Sequence, residues 1–177
     1  MRVVAGAYRG RRLHAPRGTD VRPTSDRVRE ALFSILGDRV VDARVLDLFA
    51  GSGALAIEAL SRGAASAVLV ENDRSALDAI RANLEPLTDA EAEVVRADAL
   101  RWLDGPRGPF DLVFVDPPYS SARKLAEPLT QKLSAALSPE ALIVSESDKR
   151  DPMTLAFPLA DERTYGHTRI AIHRAAD

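Results

Sequence analysis

The chain has no cysteine among its 177 residues. That excludes disulfides, thiolate nucleophiles and cysteine-based zinc sites. Histidine is nearly as scarce: His14, His167 and His173 are scattered, with none of the spacings expected of a metal centre. Only Lys124, Lys132 and Lys149 carry ammonium groups, so arginine supplies almost all the positive charge. No apolar run approaches the length of a membrane span, and the arginine-rich N-terminal segment lacks the apolar stretch of a secretory signal. A cytoplasmic protein with no metal and no membrane association is expected.

What the chain does have is an uneven charge. Its net charge is −2, yet residues 1–30 hold eight arginines against Asp20, Asp26 and Glu30. A basic arm on an acidic body suits a polyanionic partner met by one face. The length suggests one domain with a sizeable core. Two short β-like stretches, Val3-Val4-Ala5 and Arg12-Leu13-His14, joined through Gly6 and Gly10, predict a hairpin followed by a Pro/Gly-rich loop. The expected division is a basic arm over 1–23 and a main domain over 24–177. A helix should open at Thr24 or Ser25, and Gly37 should stop it.

From residue 44 onward, short apolar runs alternate with helical segments. Strands are expected at 45–49, 67–71, 93–97, 110–116 and 141–146, with helices at 53–62, 74–84, 99–104 and 122–137. That alternation calls for a parallel sheet covered on both faces and doubly wound by right-handed crossovers. The tail differs: a β-like run near 155–164 meets 168–173 across Tyr165-Gly166-His167, so an antiparallel edge is expected.

Each of the first four parallel strands carries an acid at or just past its carboxyl end: Asp47, Glu71, Asp98 and Asp116. In an open parallel sheet those ends share one edge, where ligands bind at the topological switch point. Asp47-Leu48-Phe49-Ala50-Gly51-Ser52-Gly53 forms the first turn, whose glycines allow close approach of a ligand to the backbone. The dinucleotide fingerprint would need glycine where Ala56 stands, and an acid before the loop repels phosphate but suits an ammonium. Glu71 can accept both hydroxyls of a ribose, and Asp98 can accept from an adenine amine. Ammonium, ribose hydroxyls and adenine amine, met in that order, describe S-adenosylmethionine rather than a nicotinamide dinucleotide.

Asp116-Pro117-Pro118-Tyr119 completes the edge. The prolines fix φ, lack N–H groups and hold the preceding residues extended. A carboxylate and a neighbouring carbonyl can take the two protons of an exocyclic amine while the ring stacks on a planar base. Asp116, Pro117 and Tyr119 are the candidate catalytic residues.

These motifs resemble those of class I S-adenosylmethionine-dependent methyltransferases. Arg2-Val3-Val4-Ala5-Gly6, Tyr8-Arg9-Gly10-Arg11 and the 22–33 segment, with Asp-Pro-Pro-Tyr, are similar to the RsmD family, which methylates N2 of guanine 966 in 16S ribosomal RNA. The resemblance implies a Rossmann-like α/β fold with a seven-stranded, mostly parallel sheet of order 3-2-1-4-5-7-6, its last strand antiparallel. It implies cofactor contacts from Gly51, Gly53 and Asp47 to the methionine part, from Glu71 to the ribose and from Asp98 to the adenine. Asn72 and Ala99 would make second contacts to the adenosine, and the turn holding Thr24, Asp26 and Arg27 suits the cofactor's carboxylate. Arg9, Arg11, Arg12 and Arg22 are expected on RNA phosphates. The implied partner is 16S rRNA or the 30S subunit, met by a monomer. The alternatives are a DNA adenine-N6 methyltransferase, which uses the same Asp-Pro-Pro-Tyr chemistry, and a non-catalytic nucleotide- or RNA-binding module.

Overall fold

The central strand of the protein is β1 (Arg44–Asp47), flanked in parallel by β2 (Ser66–Glu71) and β4 (Phe110–Val115). The computed structural model describes residues 1–16 and 25–175. Outward from β1 on one side lie β2 and β3 (Ala92–Arg96); on the other lie β4, β5 (Leu137–Asp148), β7 (Thr168–Arg174) and β6 (Leu159–Tyr165). The sheet order is 3-2-1-4-5-7-6 as expected, and β7 alone runs against its neighbours. The order in which strands are added reverses between β1 and β4, which creates the switch point at the carboxyl edge.

Alternation along each strand feeds two cores, one on each face. Val45, Phe114 and Val144 pack with Leu32, Phe33 and Leu36 of helix α1 (Asp26–Leu36) and with Ile57 of α2 (Ala54–Ser61). Leu46, Val113 and Ile143 pack instead with Trp102 of α4 (Ala99–Trp102) and Leu129 and Leu133 of α5 (Tyr119–Leu133). The third long helix, α3 (Arg74–Leu84), buries Leu77 and Ile80 behind an Asp73 cap. Helix α1 opens at Ser25, whose side chain accepts from the Val28 N–H, and ends at Gly37 in a positive-φ turn. Among the described residues no helix is long and apolar enough to cross a membrane.

Several boundaries differ from expectation. Helix α5 begins at Tyr119 rather than 122, because Pro118 caps it and its carbonyl takes the Ser121 and Ala122 N–H groups. β5 starts at Leu137, ahead of a register shift opposite Phe110–Leu112, where Glu140 adopts a positive φ. The run from 155 to 158 is not a strand: Pro158 cannot donate to a ladder, and Leu155 and Phe157 are buried in the α5-side core. The arm does fold back on itself as expected: Val3 N–H donates to the Arg11 carbonyl and Leu13 N–H to the Met1 carbonyl around an antiparallel bridge between Arg2 and Arg12.

The arm's order comes from the helices beneath it. Every residue of α2 is buried, because the sheet covers one side and the arm the other. The buried Glu58 carboxylate accepts from the Val4 N–H (2.8 Å), the Ala5 N–H (3.0 Å) and Arg62 Nε (2.8 Å). Ser61 accepts from the Tyr8 N–H on its hydroxyl and from the Ala7 N–H on its carbonyl. Asn83 of α3 exchanges two hydrogen bonds with the His14 backbone. Tyr8 is buried and donates to Asp89, so its ring packs here rather than facing a ligand. At Gly6 the chain passes so close to α2 that a Cβ would lie 1.7 Å from the Ser61 carbonyl oxygen, at φ +85.

Gly6→Ala is therefore expected to lift the arm and take the Val4 and Ala5 N–H donors from the Glu58 carboxylate, costing about 1–3 kcal/mol. A lower urea midpoint together with faster tryptic cleavage at Arg9, Arg11 and Arg12 would show this; an unchanged midpoint would mean the close approach matters little.

Candidate active site

Four of the expected acids do share the carboxyl edge. Asp47 ends β1, Glu71 ends β2, Asp98 follows β3 and Asp116 follows β4. Asp47 is 1% exposed, and among the described residues its Oδ2 has no hydrogen-bond partner. Burial pushes its carboxyl up to about 7; the Glu71 charge adds to that, while the Ala56 N–H opposes it. An unpaired carboxylate this deep is costly unless a cation or donor meets it.

The loop after β1 is held by its neighbour. Gly51 and Gly53 have φ of +56 and +77, and a Cβ at Gly53 would meet Leu69 at 3.0 Å. The Gly51 N–H donates to Glu71 Oε2 at 2.9 Å, while Glu71 Oε1 accepts from the Asn72 and Asp73 N–H groups at 2.8 and 2.9 Å. Glu71 thus fastens the glycine loop to the end of β2. Asn83, through its Nδ2, donates to the Ser52 carbonyl at 2.9 Å and so joins that loop to the arm. Asp98 caps α4 by accepting from the Arg101 N–H at 3.0 Å and is exposed, with Ala99 buried behind it.

At the other side of the switch point, burial holds the Asp116 carboxyl well above the usual range, with the charges of Glu146 and Asp47 adding to it. Pro117 is buried and Pro118 exposed. Tyr119 is 38% exposed. Its hydroxyl donates to Glu146 Oε1 at 3.1 Å and lies 3.1 Å from Thr168 Oγ1. Burial pushes that phenol up to about 12; the Thr168 hydrogen bond opposes the shift, and the charges of Glu146 and Asp116 add to it. The ring is pinned by its tip.

Glu146, 7% exposed, is a fifth acid that sequence reasoning missed. The signal was there: the fifth strand also carries a glutamate near its end. Thr168 had no such signal, because only the reversed strand β7 brings it beside Tyr119.

The arm residues are placed less completely. Asp26 accepts from Arg29 Nη2 at 2.9 Å and from the Arg2 N–H at 3.3 Å, so this carboxylate ties arm to helix. Buried Arg29 also donates to the Arg2 carbonyl. Arg27, Arg9, Arg11 and Arg12 are exposed. Thr24 and Arg22 lie outside the described residues.

A sheet of order 3-2-1-4-5-7-6 with β7 reversed and acids at its switch point defines a Rossmann-like class I methyltransferase. More particularly, the chain belongs to the family described as Conserved hypothetical protein 95, matched over residues 1–174, which is the RsmD family its motifs resemble. The ribosomal RNA small subunit methyltransferase D of Escherichia coli K12 is 45% identical over 150 residues, 84% of this chain and 75% of that protein. Its Haemophilus influenzae namesake is 37% identical over 94% of this chain and 89% of that protein. The solved Escherichia coli chain yhhF superposes with a TM-score of 0.86 at 40% identity, covering 99% of this chain and 97% of that one.

The raised Asp47 carboxyl makes a stability prediction. In the unfolded chain it titrates near 3.8 and in the fold near 7, so the fold binds the proton more tightly. Its stabilising contribution is complete below about pH 4 and is lost as pH rises through about 7. Asp47→Asn should gain on the wild type by several degrees in Tm between about pH 5 and pH 8 without cofactor; a constant difference across that range would contradict a buried titrating carboxyl.

Proposed function

We propose that the protein transfers a methyl group from S-adenosylmethionine to the N2 amine of guanine 966 in the 16S RNA of the 30S subunit, acting as a cytoplasmic monomer. The observation that carries this reading is the pair of acids at the switch point, buried Asp47 with an oxygen that has no partner among the described residues and half-buried Asp116 braced by two prolines.

The residues fit the cofactor. Asp47 Oδ2 offers an uncompensated acceptor to an ammonium. The positive-φ turn at Gly51 leaves space beside the backbone for a ligand, while Gly53 lets the loop pack against Leu69. Glu71 faces the same loop and already accepts three N–H groups, leaving about one of a carboxylate's four lone pairs for a ribose hydroxyl. Asp98 keeps one oxygen beyond its cap for the adenine amine, with Asn72 and Ala99 as second contacts to the adenosine, and Asp26 and Arg27 are assigned to the carboxylate end together with Thr24, which lies outside the described residues. Bound there, the cofactor supplies an electrophilic methyl group on a sulfonium, whose departing electron pair stays on sulfur.

The chain's own residues prepare the base. The N2 lone pair of guanine is delocalised into the ring, so it must be turned out of the plane's conjugation before it can attack. Asp116 accepts one N2 proton and the Pro117 carbonyl the other; the Pro118 carbonyl is already taken by the first turn of α5. Tyr119, pinned at its hydroxyl, offers its ring face to the base. Positioning and electrostatics then carry the rate. The methylated amine is strongly acidic and loses its proton to Asp116 or to water. Arg9, Arg11 and Arg12 contact phosphates beside the crevice, since the arm is fastened to α2 and α3; Arg22, outside the described residues, is assigned the same role from the sequence.

Asp116→Ala should keep cofactor affinity within a few-fold by calorimetry while lowering kcat by about a thousandfold or more. Labelled-methyl transfer to 30S subunits measures this, and transfer to duplex DNA instead would favour the adenine-N6 reading. A loss of only a few-fold would remove Asp116 from the chemistry. Reversing Arg9, Arg11 and Arg12 to glutamate should weaken RNA binding and reduce the slope of log K against log salt by about one per lost phosphate contact; an unchanged slope would take the arm off the RNA.

A further inference from the structure

We propose that Glu146 selects guanine by accepting the N1–H of the base whose N2 amine Asp116 engages. This rests on the guanine-N2 reading of the site and deepens it.

The placement is a consequence of strand register. Val115 of β4 pairs with Ser145 of β5 in parallel. The next residue on each strand is an acid, Asp116 and Glu146, so the two carboxylates emerge side by side, about one strand spacing (roughly 4.8 Å) apart at the backbone. Their charges act on one another. Glu146 is 93% buried, by its 7% exposure, and the hydroxyl of Tyr119 fixes its Oε1. Thr168 holds that hydroxyl from β7. The stacking ring and this carboxylate are therefore one assembly.

A buried carboxylate beside a half-buried one is a poor arrangement for folding and a good one for a ligand with two adjacent donors. The Watson–Crick edge of guanine presents N1–H beside the N2 amine. Adenine presents a lone pair at N1, which would meet a carboxylate lone pair across the same gap. Acceptors alone at this edge admit guanine and repel adenine, a distinction that Asp-Pro-Pro-Tyr by itself does not make. A site built to bond a donor rejects the analogue lacking it far more strongly than a hydrophobic pocket rejects a missing methylene.

The simpler role for Glu146 is to anchor the Tyr119 hydroxyl and nothing more. The test separates the two. Small subunits are assembled on 16S RNA bearing either guanosine or 2-aminopurine riboside at the target position; the analogue keeps the N2 amine but carries a lone pair at N1. The wild type should prefer guanosine by about a hundredfold or more in kcat/KM. Glu146→Gln, whose amide can donate to that lone pair, should lose roughly that factor on guanosine and narrow the preference to within about tenfold. Tyr119→Phe should keep the wild-type preference whatever its rate.

Wild-type enzyme that methylates both bases equally well overturns the proposal, and this comparison needs no variant to fold. A folded Glu146→Gln with the full preference overturns it too, as does a Tyr119→Phe whose preference collapses in the same way. If mass mapping finds no methyl on guanine N2 with the wild type, the guanine-N2 reading itself fails, a result distinct from any of these.

Discussion

The structure depends on a concentration of like charge at one edge of a parallel sheet. Asp47 and Asp116 sit on the two strands that flank the switch point, with Glu146 on the strand beyond. Each raises the proton affinity of a neighbour, and burial raises it further. An arrangement of this kind opposes folding. It persists because the hydrophobic layers above and below the sheet determine where the strands end, and the acids ride on those ends. The strain is what makes the crevice receptive to cations and to multiple hydrogen-bond donors.

A second set of buried polar groups holds the crevice in place from behind. Glu58, Ser61 and Asn83 take up the arm's backbone amides, and Asn83 also reaches the glycine loop through Ser52. The arm is therefore not a loosely tethered basic tail. Its backbone is the outer layer of α2, while its described arginines, Arg2, Arg9, Arg11 and Arg12, remain exposed. Under the proposed function, the surface that meets RNA and the loop that meets the cofactor share one fastening, so neither can shift far without the other.

Much of this was legible in the chain. The alternation of short apolar runs with helical segments implied the doubly wound sheet, and the acids at the strand ends implied its working edge. What escaped had local causes. Pro118 looked like part of a turn, yet it caps α5 and carries Tyr119 into the helix's first position. Leu137 looked like the end of a helix and Ser138-Pro139-Glu140 like a loop, yet together they are the irregular start of β5. Glu58 and Asn83 looked like ordinary polar residues on helices, because nothing in their own segments shows that another segment covers them.

The sequence by itself determined the class of sheet, the position of its ligand edge and four of the acids along it, since strand periodicity and strand-end residues are local properties. Only the tertiary structure decided that Glu146 stands beside Asp116, that Thr168 reaches Tyr119 from a reversed strand, and that the arm is clamped to α2 and α3. Those relations depend on register between strands and on packing between distant segments, which no short stretch of chain encodes on its own.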